Sequence, residues 1–137
     1  MTYYLATKLP LPFERAIEET EAALKEEGFG IVTRIDMAAT LKAKRGTDFR
    51  PYMILGACNP SLALEALQIE DKVGTMLPCN VIVQATDADR CEVAAIDPVE
   101  SMRAIPNPRL SSAARKVRAR LERVIEQLQE ISTARAG

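Results

Sequence analysis

The sequence predicts a small α+β domain made of one antiparallel sheet of about five strands with helices packed on one face. Short segments rich in β formers recur between turn signals, and two longer segments have the apolar spacing of amphipathic helices. Most strand connections are short, which favours antiparallel pairing. The 137 residues suit one domain. We assign residues 1–132 to this domain and residues 133–137 to a frayed C-terminal tail.

The chain is expected to begin with a strand followed by a helix. Residues 3–9 alternate in polarity and are rich in β formers, which predicts the strand. Apolar positions then recur at helical spacing from Phe13, with glutamates covering the other side. Gly28 is typical of a residue that ends a helix, so the first helix is expected to stop there.

Two more strands and a short helix are predicted before residue 60. Residues 29–36 predict a second strand. One face of this strand is expected to carry Phe29, Ile31 and Ile35. Residues 37–44 predict a short helix before a glycine. Residues 52–58 are a continuous apolar run, which indicates a third strand buried on both faces.

The second half of the chain predicts a helix, a hairpin and a long final helix. Ser61 is a candidate N-cap for a helix that reaches residue 69. Residues 80–86 and 90–96 flank an Asp-Ala-Asp turn and predict a hairpin. Its register places on the core face Val81 opposite Ala95, Val83 opposite Val93 and Ala85 opposite Cys91. Two prolines precede the last helix, which is expected to run from about Arg109 or Ser111 to Ile131.

Four segments together carry a family resemblance that covers nearly the whole chain in order. They are Gly-Phe-Gly-Ile-Val at 28–32, Ile-Leu-Gly-Ala-Cys-Asn-Pro at 54–60, Leu-Pro-Cys-Asn-Val at 77–81 and Asp-Pro at 97–98. The sequence resembles a bacterial family known as domain of unknown function 302. The resemblance implies a fold like the TATA-binding-protein half-repeat, with two main helices on one side of the sheet. It brings no established reaction.

Composition excludes several classes of function. The chain has no histidine, which removes Ser-His-Asp and Cys-His catalysis and the commonest transition-metal ligand. The net charge of −1 and the aromatic content of 4% argue against nucleic-acid binding. We predict no signal peptide, because residues 1–10 have no basic stretch that leads into an apolar region. We predict no membrane span, because no apolar run approaches about 20 residues. Three cysteines, an odd number, fit reduced thiols in the cytoplasm.

Two cysteines lie in similar settings at strand ends. Cys58 closes the third strand beside Asn59, and Cys79 opens the fourth strand beside Asn80. If these strands pair, as the resemblance implies, the four residues lie at the same end of the sheet and form a candidate ligand site. The two thiols are also candidate ligands for Cu(I) or Zn(II), or a redox pair. The alternative is that both cysteines are packing residues, as we expect for Cys91.

The last helix carries an apolar stripe and several basic residues. The stripe repeats at alternating spacings of four and three, as Leu110, Ala114, Val117, Leu121, Val124, Leu128 and Ile131. It predicts packing on the sheet or, alternatively, a helix–helix dimer seam. The basic residues are expected to pair with the acidic first helix or, alternatively, to form a surface that binds an anion or a nucleic acid.

The face of the sheet away from the helices is expected to be half apolar. The residues predicted there are Val32, Ile54, Ile82, Gln84, Ala94 and Ile96. Such a surface indicates an interface, and a homodimer is the commonest kind. Carboxylates such as Asp36, Asp48 and Asp97 have no spacing that indicates an active site. The sequence therefore favours a homodimeric protein that binds a small ligand or a partner, with a thiol-based metal-binding or redox protein as the alternative.

Overall fold

The elements of the chain follow the predicted order, with two short helices added, a 3-10 helix and an α-helix of 4 residues. The computed structural model describes residues 2–136, with side chains through Ala134. The elements are β1 Tyr4–Leu9, α1 Phe13–Glu26, β2 Gly30–Asp36, α2 Met37–Arg45, β3 Tyr52–Cys58, α3 Pro60–Ile69, a 3-10 helix Asp71–Met76, β4 Cys79–Asp87, β5 Arg90–Ile96, α4 Pro98–Ser101 and α5 Pro108–Ala136. The last helix therefore extends beyond its predicted end at Ile131. Part of the predicted tail, Gly137, lies outside the described residues, as does Met1.

The strands form one sheet with the order β1-β5-β4-β3-β2, and all neighbours are antiparallel. The predicted α+β class and antiparallel sheet are confirmed. The hairpin register is also confirmed, with Val81 opposite Ala95, Val83 opposite Val93, and Ala85 opposite Cys91. Period-two alternation fixes this register, because a slip of one residue would turn the valines away from the core.

Helices α1 and α5 cover one face of the sheet. Leu24 from α1 and Leu121 and Val124 from α5 are fully buried against Val81 and Val93 of the sheet. The apolar stripe of α5 thus packs within the chain. It is not exposed, so it is not available as a helix–helix dimer seam. Among the described residues, none of the helices combines the length and apolar character that a bilayer crossing requires.

A second, smaller hydrophobic cluster lies beyond the main core. It consists of Ala66, Val73, Met102, Leu110 and Ala114. Helix α5 belongs to both clusters, because its first turns pack in the small cluster and its later turns in the main core. A helix of 29 residues is about 43 Å long, which lets it extend past the sheet and carry α3 and the 3-10 helix on its first turns.

The local structure differs from the predictions at three places. The register of β2 shifts between Ile31 and Thr33, so Val32 is the extra residue of a bulge. After the bulge Ile35 pairs with Ile54 on the open face, and the prediction that it shares a face with Phe29 and Ile31 is wrong. The third strand is not buried on both faces as predicted. Helices cover one face, and Ile54 on the other face is only half-buried.

Asn59, and not Ser61, caps α3. The side chain of Asn59 accepts a hydrogen bond from Leu62 N at 3.2 Å. Pro60 follows as the first helical residue, where its missing N–H costs nothing. Asp97 caps the short helix α4, which the sequence did not indicate, by accepting from the backbone N–H groups of Val99 and Glu100.

The basic residues of α5 are largely paired within the chain. Arg123 Nε lies 2.8 Å from the carboxylate of Glu27, just after α1, so the predicted pairing with the first helix occurs at its C-terminal end. Lys116 pairs with Glu65 of α3 at 3.0 Å. Arg118 pairs with the buried Asp97 at 2.9 Å, and this carboxylate raises the pKa of Arg118.

Gly56 on β3 lies close to Thr33 on β2 and to Pro78, which directly precedes β4. A Cβ on Gly56 would overlap Thr33 Oγ1 and lie 2.8 Å from Pro78 Cγ. We expect Gly56→Ala to lower the free energy of unfolding by about 1–3 kcal/mol in urea denaturation, because the proline ring has little freedom to move. Gly30→Ala is the matched control, since its Cβ would lie 4.0 Å from the nearest atom, the Cys58 carbonyl oxygen. Equal losses in the two variants would contradict this packing.

Candidate functional site

An apolar pocket lies between the main core and the small cluster. Its volume is about 360 Å³. One wall is the end of the sheet where β3 meets β4, and the other walls are α3 and the first turns of α5. The pocket is therefore bounded by elements that pack together only in the folded chain.

Small side chains leave the pocket open. Of the nineteen lining residues, six are alanine or glycine, namely Ala57, Ala63, Ala66, Ala113, Ala114 and Gly74. The two helices that face each other across the pocket contribute four of these alanines. Protein interiors are otherwise packed to nearly crystalline density, so a gap of this size between two apolar clusters is a specific feature of the chain.

The lining of the pocket carries no charge. Among the described residues that line it, none is Asp, Glu, Lys or Arg, and Asn59 supplies the polar side chain. The side-chain oxygen of Asn59 is engaged by Leu62 N as the cap of α3. Such a lining suits an apolar ligand with few polar groups, because burying an unpaired charge there would be costly.

The structure brings together three of the four residues predicted for the ligand site. Cys58, Asn59 and Cys79 line the pocket. The expected pairing of β3 with β4 accounts for this, because Cys79 is directly opposite Ala57, the neighbour of Cys58. Asn80 follows Cys79 in the strand and so projects from the opposite face of the sheet, where it borders another groove.

The buried thiol in this pocket is strongly disfavoured as a thiolate. Cys79 is 7% exposed, and its burial, followed by the proximity of Cys58, raises its pKa to about 11. At neutral pH the thiol is therefore protonated, whereas metal binding and thiol exchange require the thiolate. All three cysteines are free, and in the described part of the chain no group of three or more His, Cys, Asp or Glu side chains is arranged to hold a metal.

Five of the six residues predicted for the interface lie on the open face of the sheet. Ile54, Ile82, Gln84, Ala94 and Ile96 share that face by strand register. Val32 does not follow them, because its side chain, 59% exposed at the bulge, lines the apolar pocket.

An apolar row crosses the open face from edge to edge. Direct cross-strand partners form it in the order Ile35, Ile54, Ile82, Ala94 and Ala6. Polar side chains beside the row bond to one another, since Gln84 accepts from Arg50 at 2.8 Å and donates to Glu92 at 3.0 Å. A shallow groove of about 370 Å³ on this face is flanked by Tyr4 and Tyr52.

The carboxylates considered as catalytic candidates have structural roles. Asp36 caps α2, Asp48 pairs with Lys42 at 2.9 Å, and Asp97 caps α4 and pairs with Arg118. A cleft of about 640 Å³ beside Asp97 is larger than the apolar pocket, but charged side chains that pair with one another line it. This cleft is large because it is open to solvent. The apolar pocket is therefore the better candidate for a ligand site.

The comparisons with known proteins identify the family of the chain. Residues 5–128 match the family described as domain of unknown function DUF302, and the chain belongs to this family. A crystal structure of an uncharacterized conserved DUF302 protein from Bacillus stearothermophilus is similar over 93% of this chain and 99% of that chain. The TM-score is 0.86 and the sequence identity is 26%. A comparison with curated proteins finds no match.

Sequence reasoning did not find the helical walls of the pocket. Ala63 and Ala66 on α3, and Ala113 and Ala114 on α5, look like ordinary helix formers in the sequence. The available signal was that these alanines fall among the apolar positions that face inward, where larger residues are usual. The sequence alone did not show that the two helices face each other across the end of the sheet.

The reactivity of the cysteines tests this description of the site. We expect a thiol-alkylating reagent at neutral pH to modify the half-buried Cys58 first and to leave Cys79 and Cys91 largely unmodified, as measured by peptide mass spectrometry. The raised pKa of Cys79 alone lowers its thiolate fraction about a hundredfold relative to an ordinary thiol. Modification of Cys79 as fast as Cys58 would contradict the burial described here.

Proposed function

We propose that this protein binds a small apolar molecule in the pocket between α3, α5 and the end of the sheet. The observation that carries the proposal is the uncharged pocket of about 360 Å³, held open by small side chains on two facing helices. Ligand pockets in proteins are typically apolar clefts of about 300–1,000 Å³ with a few polar groups. Asn59 and the thiols of Cys58 and Cys79 are the polar groups in this pocket. No catalytic set accompanies them in the described residues, so binding is the proposed activity.

We further propose that the protein is a homodimer joined through the open face of its sheet. The apolar row supports this, because an edge-to-edge band of isoleucines and alanines is unusual on a solvated surface. Strand spacing and rise give the sheet a projected area of roughly 500 Å². The protruding Tyr3 and Phe49 add to it. The total approaches the roughly 800 Å² per partner of a stable complex.

The proposed setting is the bacterial cytoplasm. The three free cysteines support it, because thiols stay reduced in that compartment. The family resemblance and the similar structure from a Bacillus species support a bacterial origin.

A second candidate function is soft-metal binding or redox chemistry at Cys58 and Cys79. It is supported by the convergence of both thiols on one pocket. Two thiols could hold Cu(I) or, with ligands from a second copy or from solvent, Zn(II). The raised pKa of Cys79 favours the apolar-ligand function over this one. Fast alkylation of Cys79 that added Zn(II) or Cu(I) prevents would reverse that preference.

Filling the pocket tests the ligand-binding function. We expect naphthalene, a neutral probe, to bind to the wild-type protein in isothermal titration calorimetry. Ala63→Leu should weaken this binding by about tenfold or more, because the added carbon atoms occupy the pocket. The control is Ala43→Leu, the same change at an exposed position of α2. Equal binding by the two variants would place the probe elsewhere.

A charge in the apolar row tests the homodimer. We expect the wild-type protein to sediment as a dimer in analytical ultracentrifugation and Ile54→Lys to sediment as a monomer, because the lysine would be buried without a partner. Leu64→Lys is the control, since Leu64 is an exposed apolar residue on α3, away from the open face. A monomeric wild-type protein, or a dimer that persists in Ile54→Lys, would contradict this interface.

A further inference from the structure

We infer that the natural ligand of the pocket is a chain-like amphiphile whose apolar body fills the pocket and whose carboxylate head lies at the edge formed by Asn59 and Arg120. This inference rests on the proposed function and adds the chemical class of the ligand. Three observations support it, namely the position of two hydrogen-bond donors, the charge balance around them and the volume of the pocket.

Two hydrogen-bond donors converge beside Gly28. The position that a Cβ on Gly28 would occupy lies 2.9 Å from Asn59 Nδ2 and 3.9 Å from a guanidinium nitrogen of Arg120. Asn59 itself lines the pocket, as does Phe29, the neighbour of Gly28. Because the oxygen of Asn59 is held by Leu62 N, the amide group is fixed with Nδ2 toward this point. Nδ2 makes no hydrogen bond with the side chains and backbone of the described residues.

Arg120 supplies positive charge that the chain does not neutralise locally. The guanidinium nitrogen that lies near Gly28, Nη1, also donates to the backbone oxygen of Glu27 at 3.3 Å. The carboxylate of Glu27 forms an ion pair with Arg123 at 2.8 Å, and Glu65 of α3 forms one with Lys116. Within residues 2–134, Arg120 forms no ion pair with a carboxylate. A ligand carboxylate at the pocket edge would meet a cation and an amide donor, which together form charge-assisted hydrogen bonds.

The apolar body of the ligand is limited by the pocket volume. An apolar cavity of 150 Å³ holds one benzene molecule, so a pocket of about 360 Å³ has room for roughly a dozen carbon atoms. The uncharged lining excludes a second charged group within the body. Medium-length saturated carboxylates satisfy both conditions, whereas dicarboxylates and sugars do not.

The experiment is a calorimetric titration of straight-chain carboxylates, from hexanoate to hexadecanoate, against the primary alcohols of the same chain length. We expect the affinity to rise about fourfold for each added methylene and to stop rising near dodecanoate, where the pocket is full. Each carboxylate should bind about tenfold more tightly than its alcohol at low salt, and less so at high salt.

Two variants separate the head site from the pocket. Asn59→Asp keeps an oxygen to cap α3 but replaces the donor by a negative charge, and Arg120→Gln removes the cation. Both should abolish the preference for carboxylate over alcohol. Arg120→Gln should also leave the binding of naphthalene unchanged, because Arg120 is not among the residues that line the pocket. Arg115→Gln is the control, because it removes the same charge from an exposed position of α5 where Arg115 bonds only Ser111 in the described structure.

The possible outcomes distinguish a failure of the carboxylate head site from a failure of the proposed apolar-ligand function. Naphthalene binding together with equal affinity for carboxylates and alcohols would overturn the head site and leave the pocket standing. An unchanged carboxylate preference in both Asn59→Asp and Arg120→Gln would overturn it as well. Failure of naphthalene and of every chain to bind would remove the proposed function itself.

Discussion

The structure depends on one constraint, which is that the apolar face of the sheet extends further than the side chains of α1 and of the later turns of α5 cover it. Leu121, Val124 and Leu128 of α5 seal the middle of the sheet together with α1. The end of the sheet at Ala57 and Cys79 lies beyond them, and α3 and the 3-10 helix cover it from outside. Because α5 is long enough to belong to both clusters, it holds α3 and the 3-10 helix at a fixed distance from the main core. The gap between the clusters becomes the pocket.

This arrangement explains why the pocket is apolar and yet close to polar chemistry. Its walls are core residues that face inward, so they carry no charge. Its edge is the point where β3 ends and α3 begins, and a helix start requires a polar cap. Asn59 meets that requirement with one end of its amide and leaves the other end free. The same local rule that begins the helix therefore provides a donor beside the pocket.

The sequence predicted the parts of the structure that depend on short-range patterns. Alternation predicted the hairpin register, whereas the meeting of Cys58 and Cys79 was expected from the strand pairing that the family resemblance implies. The bulge at Val32 was not predicted, because no glycine or proline marks it. Asn80 was grouped with Cys79 although adjacent strand residues point to opposite faces. The pocket depends on alanines brought together from α3 and α5, and such a non-local gap leaves no local pattern in the sequence.

NMR with labelled alanine methyl groups would locate the bound ligand most directly. On addition of naphthalene, we expect the methyl signals of Ala63, Ala66, Ala113 and Ala114 to shift, because these residues line the pocket. The signals of Ala6 and Ala94 on the open face should stay in place. Shifts confined to Ala6 and Ala94 would place the ligand on the open face of the sheet and would contradict binding in the apolar pocket.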